Sequence, residues 1–203
     1  MNVYVETNFV LELALLQEQH ESCEAIIELC NTNAIRLILP AYSLIEPYET
    51  IVRYAKNRTR VSNDLSAELG QLSRSKPYRE EVSALLRFTS VLARSQTEES
   101  RRLRDTIDRL IQISEIVSLN KTILNEAKAH QVQYSMSPQD AIVYASVLHH
   151  LGTSDLGKKC FLNRNSKDFD DPDIVAALKS NGCKILFNFD AGFEYISSQV
   201  RAQ

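Results

Sequence analysis

Glu6, Glu46, Asp140 and Asp168 lie far apart along the chain, yet each falls just beyond an apolar run or in the first turn of a helical pattern. Asn165 stands three residues before Asp168 and adds an amide to the set. Ligand sites in open parallel sheets form beyond the carboxyl ends of the strands, so acids at such positions can converge. Two carboxylates about 6 Å apart, at an effective dielectric near 20, repel by roughly 2 to 3 kcal/mol. A cluster of them must take up protons or recruit cations, and hard oxygen donors favour Mg²⁺ or Mn²⁺. Such an ion lowers the pKa of its bound water and neutralises charge on a phosphoryl oxygen. The expected chemistry is metal-dependent phosphodiester hydrolysis, with water as nucleophile and no covalent enzyme intermediate. Glu6, Glu46, Asp140 and Asp168 are the candidate catalytic residues and metal ligands, with Asn165 as an assisting ligand.

Each acid also has a plain structural explanation. Ser43-Leu44-Ile45-Glu46 and Ser137-Pro138-Gln139-Asp140 fit the capping box, in which an acid satisfies the orphan amides of a helix start. Asp168 fits the cap of a turn. Singly, the capping explanation is preferred; taken together at strand ends, the acids favour a site.

The elements that must position these residues alternate. Val3 to Val5 reads as a short buried strand, followed by helical patterns through Phe9, Leu13 and Leu16 and through Cys23, Ile26, Ile27 and Cys30. Arg36 to Leu39 is a second strand stopped by Pro40, and a helix starts at Ser43 and runs towards Lys56. Residues 58–113 read as a charged helical insertion, with Leu85, Leu86, Leu92, Leu103, Ile107, Leu110 and Ile111 as its apolar stripe. Ile116 to Leu119 is a third strand, with a helix over Ile123 to Tyr134 and another from Ser137 to near Gly152. Cys160 to Asn163 is a fourth strand. Asp171 caps the next helix with Pro172 at its first position, Gly182 closes it, and Lys184 to Phe189 is a fifth strand. Strands alternating with helices predict a single α/β domain over residues 1–203, a three-layer α/β/α sandwich on a parallel sheet of about five strands.

The 203 residues carry a net charge of −3, which argues against a broadly basic surface. The charge is uneven: Arg53 to Arg109 holds 13 Lys/Arg against 8 Asp/Glu. Such a block either guides a polyanion towards the acids or is a solvated helical face. No apolar run is long enough to span a bilayer, and the N-terminus lacks the pattern of a signal peptide. Cys23, Cys30, Cys160 and Cys183 form no CxxC pair, so buried reduced thiols of a cytoplasmic protein are expected.

Other signals carry less. Gly152 to Lys159 nearly matches a phosphate-binding loop, but Lys159 replaces the Ser or Thr that holds Mg²⁺, and the segment follows a helix and enters a strand, the reverse of a P-loop. Gly152 is more simply a helix stop. His149 and His150 diverge around a helix and make a poor chelating pair, and no GxSxG or HExxH is present. Tyr42, Tyr48, Tyr54 and Tyr144 near the acids suit base stacking, although core packing explains most of them.

Four segments carry a family resemblance. Val3-Tyr4-Val5-Glu6-Thr7-Asn8 resembles the opening of PIN-domain nucleases, where an Asp normally precedes Thr-Asn or Thr-Ser. Leu39 to Glu46 is similar to the second motif, Asp140 to Ala145 to the third, and Phe161 to Phe169 to the fourth. The resemblance covers about residues 1–57 and 115–189. It implies a Mg²⁺- or Mn²⁺-dependent ribonuclease acting on RNA, often the toxin of a toxin–antitoxin pair held by a small antitoxin protein, and often a homodimer. Two departures stand out. Glu6 places its carboxylate one methylene further out than Asp, and Asn165 supplies an amide where an acid is common. They leave open a catalytically weakened module that binds RNA or a protein partner.

Overall fold

A computed structural model describes residues 1–154 and 157–201, without the side chains at positions 83, 84 and 86–89. The chain opens with β1 (Asn2–Val5), buried along its whole length. Glu6 caps α1 (Thr7–Leu15), which ends where Leu16 adopts a left-handed conformation. Helix α2 (His20–Asn31) turns Cys23, Ile26, Ile27 and Cys30 inward, the packed face that their spacing predicts. Strand β2 (Arg36–Pro40) leads into α3 (Tyr42–Leu72), a 3₁₀ turn (Lys76–Tyr78) and α4 (Arg79–Ile113). Then follow β3 (Glu115–Val117), α5 (Lys121–Tyr134), α6 (Pro138–Thr153) and β4 (Lys159–Leu162). The short α7 (Ser166–Phe169), α8 (Pro172–Ser180), β5 (Cys183–Leu186) and α9 (Phe189–Arg201) complete the described chain.

The five strands pair in parallel, in the order β3-β2-β1-β4-β5. Register aligns Val3 with Leu37 and Cys160, and Tyr4 with Ile38 and Phe161. Because side chains alternate along a strand, these rows divide the core. Val3, Val5, Leu37, Leu39, Cys160 and Leu162 pack with α1, α2, α4 and α9 on one face. Tyr4, Ile38 and Phe161 pack with α5, α6 and α8 on the other. The result is the expected α/β/α sandwich. The chain builds outward from β1 to β3, then returns to the other side of β1 with β4. That reversal opens a crevice at the carboxyl ends of β1 and β4.

Several boundaries differ from the sequence reading. The third strand stops at Val117, because Asn120 caps α5 by accepting from the Ile123 amide at 2.9 Å. The fifth stops at Leu186, and Phe189 instead opens α9, its amide held by the Gln19 side chain at 2.6 Å. Helix α9 lies close to β4: a Cβ at Gly192 would come within 2.8 Å of Leu162 Cδ2. Gly152 does not stop α6, which runs on to Thr153, whereas Gly182, at φ 70°, does follow α8 in the left-handed conformation. Asp155 and Leu156 of the loop resembling a P-loop lie outside the described residues.

Residues 58–113 resolve into the outer part of α3, the 3₁₀ turn and α4. The two arms are tied by Arg58 to Glu99 at 2.6 Å and by Gln96 Nε2 to the Ala55 carbonyl at 3.1 Å. Leu103, Ile107 and Leu110 enter the core beside α1. Leu85 and Ile111, expected in the same stripe, are about half exposed, and the Leu86 side chain lies outside the described set. Ile111 sits one residue, about 100°, round the helix from Leu110 and so faces away. The four cysteines are buried and free, as expected. Among the described residues, no helix is long and apolar enough to cross a membrane.

Candidate active site

Glu6 sits where β1 becomes α1. Its backbone is extended, so its side chain bends back onto the helix start, where Oε2 accepts from the Asn8 amide at 2.8 Å. The other oxygen, Oε1, is buried and has no hydrogen-bond partner among the described residues. Burial pushes the carboxyl up to about 7, and the nearby Glu46 charge adds to this, while the bonded Asn8 amide and the nearby Arg164 backbone, which makes no hydrogen bond to it, oppose the rise.

Glu46 lies in the second turn of α3. The capping box expected there is not formed: the Ser43 hydroxyl is buried without a partner among the described residues, and the helix carries no side-chain cap. The Glu46 carboxylate instead accepts from the Thr7 hydroxyl at 2.5 Å, which joins α3 to α1 at the crevice. Its carboxyl is also raised, by burial first and then by Asp140 and Glu49, with the Thr7 bond and Arg53 acting against them.

Asp140 opens α6 beside the N-cap Ser137, whose hydroxyl accepts from the Asp140 amide at 3.1 Å and donates to Oδ2 at 2.5 Å. A capping interaction and a place in the cleft therefore coexist. Asn165 Nδ2 donates to Asp140 Oδ1 at 3.0 Å and to Asp168 Oδ2 at 2.7 Å. The sequence reading gives Asn165 a carbonyl to offer; here its amide nitrogen faces the two acids, because two carboxylates need a donor between them. Asn163 holds the loop by accepting from the Asn165 amide at 2.7 Å.

Glu6, Glu46, Asp140 and Asn165 line one cleft of about 670 Å³ at the carboxyl edge of β1 and β4. Asp168 is not among the lining residues and is tied to the cleft through its bond from Asn165. Among the described residues, no three His, Cys, Asp or Glu side chains form a group able to hold a metal ion. Glu46 nonetheless links the acids electrostatically, since its charge raises Glu6 and that of Asp140 raises Glu46, while Asn165 bridges Asp140 and Asp168.

Several contributors escaped the sequence reading. Thr7 adjoins Glu6 but was given no part. Glu12 is fully buried and pairs with Arg164, a side chain that also lines the cleft; its other oxygen accepts from the Gln19 amide at 2.9 Å. The available signal was an isolated acid inside the apolar run Phe9 to Ala14. Arg53, which opens the basic block, and Tyr54, one of the four tyrosines expected near the acids, also line the cleft. The histidines lie elsewhere. His150 bonds Tyr4 at 2.9 Å and Glu115 at 3.1 Å, and His149 approaches Asn120, so the pair does diverge.

A family model described as a PIN domain matches residues 3–169. The chain belongs to the PIN-domain family. The matched span runs from β1 through α7 and includes all five candidate residues and the α3–α4 hairpin. No curated protein sequence matches the chain. As a PIN domain the chain is a nuclease-type module, of a kind that typically uses divalent metal. The donor types in its cleft suit such an ion. They are hard oxygens, and the buried Glu6 Oε1 lacks the partner that a buried polar atom ordinarily has.

Proposed function

We propose that this PIN domain is a metal-dependent endoribonuclease that hydrolyses RNA phosphodiester bonds with Mg²⁺ or Mn²⁺. The observation that carries the proposal is the buried Oε1 of Glu6, without a partner among the described residues, in a cleft shared with Glu46 and Asp140. Glu6, Glu46, Asp140 and Asp168 would hold the metal, with Asn165 assisting once its amide turns to offer oxygen. The bound dication supplies an activated water and offsets charge on the phosphoryl oxygen. The chain's own groups do the rest. Thr7 fixes the Glu46 rotamer, Ser137 fixes that of Asp140, and Arg53 attracts the phosphate backbone.

The test is cleavage of single-stranded and structured RNA by purified protein. Activity is expected with Mg²⁺ or Mn²⁺, and none with chelator or after Asp140→Asn. Equal cleavage by the variant and in chelator would reject the assignment.

A second reading, a weakened module that binds RNA or protein, is favoured by Asn165. Its amide bridges Asp140 and Asp168 where an acid would add charge. It entails salt-sensitive RNA affinity without turnover in any metal. As a nuclease the protein fits the role of a cytoplasmic toxin restrained by a small antitoxin, alone or as a homodimer. Expression by itself should then arrest growth, and a co-expressed antitoxin should relieve the arrest; harmless high-level expression would exclude that role.

A further inference from the structure

Of the four tyrosines near the acids, the fold assigns three to other surroundings. Tyr144 is fully buried, Tyr42 packs against the core, and Tyr48 opens onto a neighbouring groove with Val52 and Lys56. Tyr54 is different: it is 36% exposed and lines the acid cleft itself. It follows Glu46, Thr50 and Arg53 along one face of α3, and all four line the cleft. Eight residues of helix separate it from Glu46 by about 12 Å, a span of roughly three to four stacked nucleotides.

Two cations lie near the ring. The Arg53 guanidinium carbon lies 5.8 Å from its centroid and that of Arg58 lies 5.9 Å away. Arg58 is anchored from behind by Glu99 at 2.6 Å and Ser95 at 3.1 Å. Arg53 has no ion pair within 4 Å among the described residues. Both ring contacts lie near the outer limit, about 6 Å, of a cation–π interaction. One arginine is therefore fixed and the other can exchange the ring for a phosphate.

We propose that Tyr54, flanked by Arg53 and Arg58, is a subsite that stacks an unpaired nucleobase and makes the cleft select single-stranded substrate. The proposal rests on the nuclease reading above only for what happens to the strand after it binds. Every base has a flat face, so the subsite is tolerant of sequence, while a paired base inside a duplex has no free face to offer. Arg53 takes the phosphate next to the stacked base, and the strand then runs along α3 towards Glu46.

The experiment compares wild type, Tyr54→Ala and Tyr54→Phe in two assays. Binding of a single-stranded RNA oligonucleotide carrying 2-aminopurine is followed in chelator, and cleavage of the unlabelled strand and its duplex is followed with Mn²⁺. Tyr54→Ala should weaken binding about tenfold and raise KM about as much, with kcat within about twofold. Tyr54→Phe keeps the ring and should recover most of the loss. The preference for single strand over duplex should shrink in Tyr54→Ala, while its thermal unfolding should overlay that of wild type. Binding and KM unchanged in Tyr54→Ala would overturn the subsite even if metal-dependent cleavage is robust. Loss of binding in Tyr54→Ala, with no cleavage by any form in any metal, would uphold the subsite and remove the nuclease reading.

Discussion

Burial raises the Glu6 carboxyl from its ordinary 4.5 to about 7 and moves Glu46 the same way. The folded protein thus binds these protons more tightly than the unfolded chain does. Their contribution to stability is complete below about pH 4.5 and is lost as pH rises through about 7. By pH 8, ionising Glu6 costs on the order of 3 kcal/mol. Without metal, the urea midpoint is expected to fall between pH 5 and 8. Glu6→Gln should flatten that fall and be the more stable form at pH 8; a slope unchanged in the variant would place the titration elsewhere. Arg164→Ala strands the buried Glu12 carboxylate and should cost about 2 to 4 kcal/mol, more than Glu12→Gln, in the same denaturation assay. Glu6, Glu46 and Asp140 were legible because each follows a motif set in local sequence. Thr7 to Glu46 and Glu12 to Arg164 were not, because each joins residues that only the folded sheet brings together.

Helix α4 has two characters. From Leu103 onward it belongs to the core, and before that it is the outer arm of a hairpin held by Arg58, Gln96 and Glu99. Leu110→Ala should cost about 2 to 5 kcal/mol, whereas Leu85→Ala should stay within about 0.5 kcal/mol. Equal losses in chemical denaturation would contradict this division. Periodicity found the helix but not where its stripe leaves the core, since the stripe continues past the point where α1 stops covering it. The end of the chain shows the same limit. Phe187 and Phe189 extend an apolar run that reads as strand, and the switch to α9 depends on the Gln19 side chain meeting the Phe189 amide. The strands themselves were readable, because a sheet covered on both faces needs short runs that are apolar throughout.

Across the whole molecule, five of the thirteen cations between Arg53 and Arg109 are offset by pairing among the described residues. Arg58, Arg60, Arg94, Arg102 and Arg109 each face Glu or Asp within 4 Å. Beside the acids, Arg164 is already paired with Glu12, so guidance of a polyanion there falls to Arg53, with Lys56 in the adjoining groove. With about two phosphate contacts at these cations, RNA affinity should fall with a log–log salt slope of roughly −1.4; a slope several times steeper in a fluorescence titration would mean that the hairpin's other cations engage the strand. The sheet order brings the ends of β1 and β4 together and sets the starts of α3 and α6 beside them. In this way acids spread over most of the chain come to one crevice. Manganese anomalous diffraction from crystals grown with Mn²⁺ at neutral pH tests the arrangement most directly. An ion is expected in that crevice, bound by Glu6 together with Glu46 or Asp140; crystals with no anomalous peak there, or with one held away from all three, would contradict it.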